Sequence, residues 1–192
     1  MHSILLVCLT TFAFAGIHSL LASRRCKRWF ETIGLVEPRY RLVYSILSVV
    51  LTIFWVTYIH SLPDVPLYRA DGLLFYTLLM IQILGGGMVM AAFRPIDSMA
   101  FLGIRAVGNN VDPFIVSGIY RHMRHPMYSG AMLILLASPW QSFNGLSMAL
   151  LVSLYFLAGS RLEERRMIEQ HPEYIAYRQQ VPAFVPRPGA VF

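Results

Sequence analysis

The sequence predicts an all-α integral membrane protein, a helical bundle of about five transmembrane helices whose last two form a hairpin. Three observations predict it. Of 192 residues, 56% are hydrophobic and 14% charged, against about 45–50% and about 25% in soluble domains. Ser3 to Ala22, Leu42 to Ile59 and Leu73 to Phe93 contain no Asp, Glu, Lys or Arg. Finally, 15 of the 16 Lys and Arg residues fall in segments that five crossings place on one side of a bilayer. A soluble fold of this length would leave such stretches as large exposed apolar patches and is excluded.

The first stretch has 20 residues, enough to cross about 30 Å of hydrocarbon as a helix. Its basic cluster, Arg24, Arg25, Lys27 and Arg28, follows it, the reverse of a cleavable secretory signal, so the helix is expected to be retained. His18, four residues from the basic end, is an ionisable group inside a span, and its simplest reading is contact with interfacial water. The second and third stretches, of 18 and 21 residues, are also long enough to cross. Gly85-Gly86-Gly87 in the third lacks the strand and helix context of a nucleotide loop and reads as a site of close helix approach. After Pro126 come Met127 to Trp140 and Gly145 to Gly159, separated by the polar turn Gln141-Ser142-Phe143-Asn144. Each is short alone, and the second is expected to run past Gly159 into Arg161 to Gln170, carrying the helix out of the bilayer.

Six basic residues lie in 23–41, four in 94–125 and five after Gly159, whereas Arg69 stands alone on the other side. The positive-inside rule then puts the amino terminus outside and the carboxyl terminus in the cytoplasm. This placement accounts for the net charge of +6 and the pI near 9.6 without a nucleic-acid partner. Cys8 and Cys26 show neither disulfide nor metal spacing, and no metal site is expected. The whole chain, 1–192, reads as one membrane domain, with amino-terminal helices over 1–112 and a chemistry-bearing region over 113–192.

That region holds the densest polar cluster, Ser117 to Gly130, with Tyr120, Arg124, His125 and Tyr128 at a membrane boundary. Pro126 fits the first turn of a helix, where its missing N–H costs nothing and the free amides of Met127 and Tyr128 can meet an anion. Arg124 can clamp a carboxylate. A snorkelling interfacial belt explains the same composition. Glu163 and Glu164 leave the last span at the depth of Arg124; a locally paired, solvated helix exit is the competing reading. The tail, Glu173 to Arg178 and then Val181-Pro182-Ala183-Phe184-Val185-Pro186, either caps a pocket or ends the fold.

Gly118-Ile119-Tyr120, then Arg124-His125-Pro126-Met127-Tyr128-Ser129-Gly130, a hairpin, Glu163-Glu164, and Tyr174 and Tyr177 before Val181-Pro182 resemble the isoprenylcysteine carboxyl methyltransferase superfamily, phospholipid methyltransferases included. The amino-terminal part, His18 to Ser23 with Lys27-Arg28-Trp29 and Tyr40 to Ser45, is similar to bacterial methanethiol S-methyltransferases and NnrU-type membrane proteins. Relatives carry a Phe-Gly pair where this chain has Gln170-His171-Pro172-Glu173.

The resemblance implies S-adenosyl-L-methionine as cofactor, in a cytoplasmic carboxy-terminal pocket formed by Tyr120, Arg124, His125, Pro126, Tyr128, Gly130, Glu163 and Glu164. Arg124 and Glu164 are the expected catalytic residues, with Arg124 also orienting the acceptor. Placing the acceptor in line with the sulfonium supplies much of the rate, up to about 7–11 kcal/mol in well-oriented cases, and aromatic rings tolerate the cation. The expected partners are membrane lipid and an apolar, thiol or lipid-attached acceptor. Two other readings stand beside this one: a non-enzymatic NnrU-like accessory protein, and an NADPH-dependent enzyme of the sterol-reductase kind.

Overall fold

The computed structural model describes residues 2–105 and 114–187; the boundary expected between 112 and 113 lies outside the described residues. Among these residues the chain is helical apart from two short strands. Helices α1 (His2–Leu21), α3 (Arg39–Ser61) and α4 (Gly72–Phe93) cover the three uncharged stretches except Ala22, which follows α1. Helix α7 (Phe143–Gln170) runs through Gly159 into the polar segment, as its length requirement predicts. These four helices are long and apolar enough to cross a membrane. The remaining apolar helix, α6 (Pro126–Leu136), has 11 residues and so rises only about 16 Å.

Apolar side chains lie on the outside of these helices: Leu73 is 83% exposed, Phe54 71% and Phe12 67%. Such faces are stable against lipid tails, and helix packing in that solvent relies on close fit and hydrogen bonds rather than apolar burial.

The chain forms two compact units. The first comprises Met1–Val65, Asp97–Asn110 and Ser142–Met148. Phe14 of α1 stacks on Trp55 of α3 at 4.6 Å, and His18 Nε2 stands 3.0 Å from the Tyr44 hydroxyl. The Tyr40 hydroxyl donates to the Leu21 carbonyl, tying the start of α3 to the end of α1. Between them α2 (Arg24–Thr32) is capped by Ser23, whose hydroxyl accepts from the Cys26 amide at 3.2 Å. A short α5 (Ser98–Phe101) is capped by Asp97, which also pairs with Arg105. Asn144, 1% exposed, donates to the Pro63 carbonyl and through its amide to Asp64.

The second unit comprises Pro66–Ile96, Val111–Gln141 and Ala149–Phe192. Strand β1 (Pro66–Arg69) pairs with β2 (Trp140–Ser142), so the turn between α6 and α7 is a ladder strand rather than a free polar loop. Both strands are too short to show a period in sequence. Helices α4 and α6 pack through Gly85 and Gly130. A Cβ on Gly85 would lie 2.6 Å from the Gly130 carbonyl oxygen, and one on Gly130 would lie 2.5 Å from that of Gly85. Gln82 Nε2 adds a 2.9 Å hydrogen bond to the Ile134 carbonyl. At the polar end, α8 (Tyr174–Gln180) buries Tyr174, Tyr177 and Val181 against Phe114, Val116, Met167 and Ile168.

Candidate functional site

The polar cluster is built on a break between two helical pieces. Ser117 leads into a 3₁₀ turn over Gly118–Arg121, where Gly118 takes φ +61°, a value L side chains rarely adopt. Met123, fully buried, anchors the next residues, and α6 starts at Pro126 with the Ser129 amide donating to the His125 carbonyl at 3.0 Å. Proline fits this first position because its own N–H is missing, and the helix start leaves the amides of Met127 and Tyr128 without partners in a preceding turn.

From the other side α7 presents Glu163 and Glu164, about 100° apart around the helix. Glu164 turns inward, with its side chain 8% exposed, and Glu163 turns toward the opening at 42%. Glu164 Oε1 accepts from Arg124 Nε and Nη2, both at 2.8 Å, and lies 2.9 Å from His125 Nε2. Its other oxygen meets Arg178 Nε at 3.2 Å. Arg124 Nη1 donates to the Arg178 carbonyl at 3.0 Å and to that of Val181. All three guanidinium nitrogens of Arg124 are therefore engaged within the protein. Glu163 accepts from the Tyr128 hydroxyl at 2.9 Å.

The tail lies along this cluster as a strap. The Arg124 and His125 amides donate to the Pro182 and Ala183 carbonyls, both at 2.9 Å. Ser129 Oγ donates to the Phe184 carbonyl at 2.8 Å, and the Arg187 amide to that of His122 at 3.3 Å. Four rings stack in a row: Phe184 on His125 (5.4 Å), His125 on Tyr128 (5.6 Å) and Tyr128 on Phe156 (4.9 Å). The Tyr177 hydroxyl donates to the Tyr120 carbonyl at 2.6 Å.

Burial, and then the charge of Glu163, pushes the Tyr120 phenol up to about 12. Burial also raises Tyr174, helped by Glu164, and Tyr177, helped by Tyr174. All three phenols stay neutral donors at ordinary pH.

A cavity of about 60 Å³ is lined by Tyr120, Arg124, His125, Pro126, Met127, Tyr128 and Glu163. Six of the eight residues expected at the site are thus brought to one cleft. Glu164 lies behind it, binding Arg124 and His125, and Gly130 faces Gly85 across the α4–α6 contact. Met127, read from the sequence for its amide, lines the cleft, and Arg178, Phe184, Phe156 and Ser129 join the site without having been named among its expected residues. The signal for Phe184 was the aromatic, proline-punctuated tail. Arg178 carried no signal beyond its charge.

The arrangement sets a helix amino terminus, which favours an anion, beside the carboxylate of Glu163 and the phenol ring of Tyr120, which favour a cation. A small zwitterion carrying an extra positive charge matches this pattern.

The family model described as NnrU protein matches residues 5–137. Methanethiol S-methyltransferase 2 of Bradyrhizobium diazoefficiens is 29% identical over 197 residues, covering 97% of this chain and 74% of that protein. The methanethiol S-methyltransferase of Crocosphaera subtropica is 28% identical over 187 residues, covering 90% and 71%. That of Pseudomonas deceptionensis is 27% identical over 184 residues, covering 90% and 69%. No solved structure matches the chain.

Proposed function

The chain belongs to the NnrU family, and we propose that it is a membrane methyltransferase that uses S-adenosyl-L-methionine and methylates a small thiol. The observation that carries this reading is the charge pattern of the cleft. Met127 and Tyr128, the first residues of α6 after Pro126, line one cavity with Glu163 and Tyr120. The names of the methanethiol S-methyltransferase relatives support the reaction class and a thiol acceptor.

The residues fit the cofactor part by part. The α6 amides would hold its carboxylate, Glu163 its ammonium, and the Tyr120 ring would lie beside its sulfonium. When bound, the cofactor supplies a methyl group on a cationic sulfur, a good leaving group. The chain's own residues then do the positioning. Glu164 fixes Arg124 and the His125 ring, so the walls of the cleft are set before either ligand arrives. The thiolate, not the thiol, is the nucleophile. On this reading the chain's contribution is to seat the acceptor in line with the methyl group.

At about 60 Å³ the cavity is far smaller than the roughly 300–1,000 Å³ of small-molecule sites. Cofactor binding on this reading includes lifting the strap, Val181 to Arg187, from the 122–129 segment. We place the site at the cytoplasmic face of a bacterial inner membrane, with the amino terminus outside, on the distribution of basic residues.

Calorimetry on the full chain in detergent, titrated with S-adenosylmethionine and separately with NADPH, tests the proposal. Binding of the first alone is expected, weakened by Glu163→Ala. Binding of NADPH would replace this reading with a reductase, and binding of neither with an accessory protein. A radiolabelled methyl assay with methanethiol against extracted phospholipids then identifies the acceptor.

A further inference from the structure

Outside the cleft, the strongest charge concentration lies in the first unit, on and around α2. Between Ser23 and Arg41 there are six basic residues, against only Glu31 and Glu37. Helix α2 follows the end of the span α1 after Ala22 and Ser23 and precedes the span α3, so its chain ends hold it at a bilayer surface.

The helix is amphipathic. Arg24, Arg25 and Arg28 lie on one side, and Cys26 and Phe30 on the other. Phe30 packs on Tyr40 at 5.4 Å, and Tyr40 is bonded to the end of α1, which fixes the apolar side inward. Lys27 is paired with Glu37 at 2.8 Å, with Arg41 3.8 Å from the same carboxylate. Arg25 and Arg28 remain exposed on the outer face. Beside them Trp29 is 59% exposed, Ile33 63% and Val36 49%. Arginines next to an exposed indole and two aliphatic side chains are costly in water but suit the boundary of phosphate and acyl chain.

We propose that α2 and the turn after it form a binding surface for acidic phospholipid, with Arg25 and Arg28 on the headgroup phosphate and Trp29, Ile33 and Val36 in the glycerol and acyl region. The net positive charge of the segment supplies the complementarity, and the neighbouring spans fix the depth at which the phosphate is met. This inference is independent of the methyltransferase reading.

The test uses the full chain in nanodiscs of phosphatidylcholine with and without phosphatidylglycerol, with bound lipid read by native mass spectrometry and stability by melting temperature. Wild-type protein is expected to retain phosphatidylglycerol in preference and to melt higher in its presence. In Arg25→Gln/Arg28→Gln the preference should fall about fivefold per arginine removed, with melting in pure phosphatidylcholine unchanged. If the double variant does not fold, each single variant should show its own fivefold loss, and Arg25→Lys/Arg28→Lys should keep most of the preference. A wild-type protein indifferent to phosphatidylglycerol, or glutamine variants that keep the preference, overturns the proposal. So does equal stabilisation by inorganic phosphate in pure phosphatidylcholine, which would mark an ion site instead.

Discussion

Arg124 and Glu164, 40 residues apart in sequence, meet through two 2.8 Å contacts from Nε and Nη2 to a single carboxylate oxygen, with side chains only 10% and 8% exposed. The same carboxylate holds His125 and Arg178. It is the point at which the start of α6, the exit of α7 and the end of α8 are joined.

Removing one partner strands charge in a buried place. Glu164→Ala leaves Arg124 without its counterion and should cost about 3–5 kcal/mol. Arg124→Ala should cost a similar amount, and the double variant much less than their sum. Denaturant unfolding of the three variants in detergent checks this; strictly additive losses would mean the two residues act separately.

The α4–α6 contact predicts a contrast among glycines. Gly85→Ala and Gly130→Ala place a methyl group against a facing carbonyl and should destabilise by about 1–3 kcal/mol. A Cβ on Gly86 or Gly159 meets nothing within 4 Å, so alanine there should be neutral or stabilising by up to about 1 kcal/mol through helix propensity. Melting temperatures of the four variants decide, and a uniform effect would remove the packing explanation.

Phe184 holds the strap by its ring as well as its carbonyl. Phe184→Ala should remove about 0.5–1.5 kcal/mol of that hold. The Arg124 and His125 amides, which donate to the strap, should then exchange with deuterium about 2–10-fold faster while the interior of α4 is unaffected. Unchanged exchange at those two amides would show that the ring contributes nothing to closure.

The buried phenols give a pH dependence of definite sign. Tyr120 titrates near 12 in the folded protein, and near 10 once unfolded. A raised folded-state value means its contribution is complete below about pH 10 and lost as pH climbs toward 12. Tyr174 and Tyr177 are shifted in the same direction. Melting temperature should therefore fall between pH 10 and 12, and less steeply in Tyr120→Phe. A fall of equal slope in both proteins would assign the loss to other groups.

Much of the architecture was legible because the bilayer imposes long uncharged runs, and α1, α3, α4 and the extension of α7 beyond Gly159 follow from them. Pro126 marked the start of α6, and the adjacent glutamates marked the facing wall. The strap was not legible as a strap, because it is held largely through the carbonyls of Pro182, Ala183 and Phe184, groups that every residue carries. The direction of Gly130 was equally hidden: its place in the motif groups it with the cleft, while its missing side chain serves the contact with Gly85. Strands β1 and β2, of four and three residues, are too short to announce themselves.

Because Val181 to Arg187 completes the wall around His125, a growing polypeptide has made all four of the long apolar helices described above before the cleft is closed. Synthesis of the helices is thus separated in time from closure of the cleft. A ribosome stalled just after Gln180 would leave Arg124 bound to Glu164 but without the Val181 and Pro182 carbonyls that later enclose it.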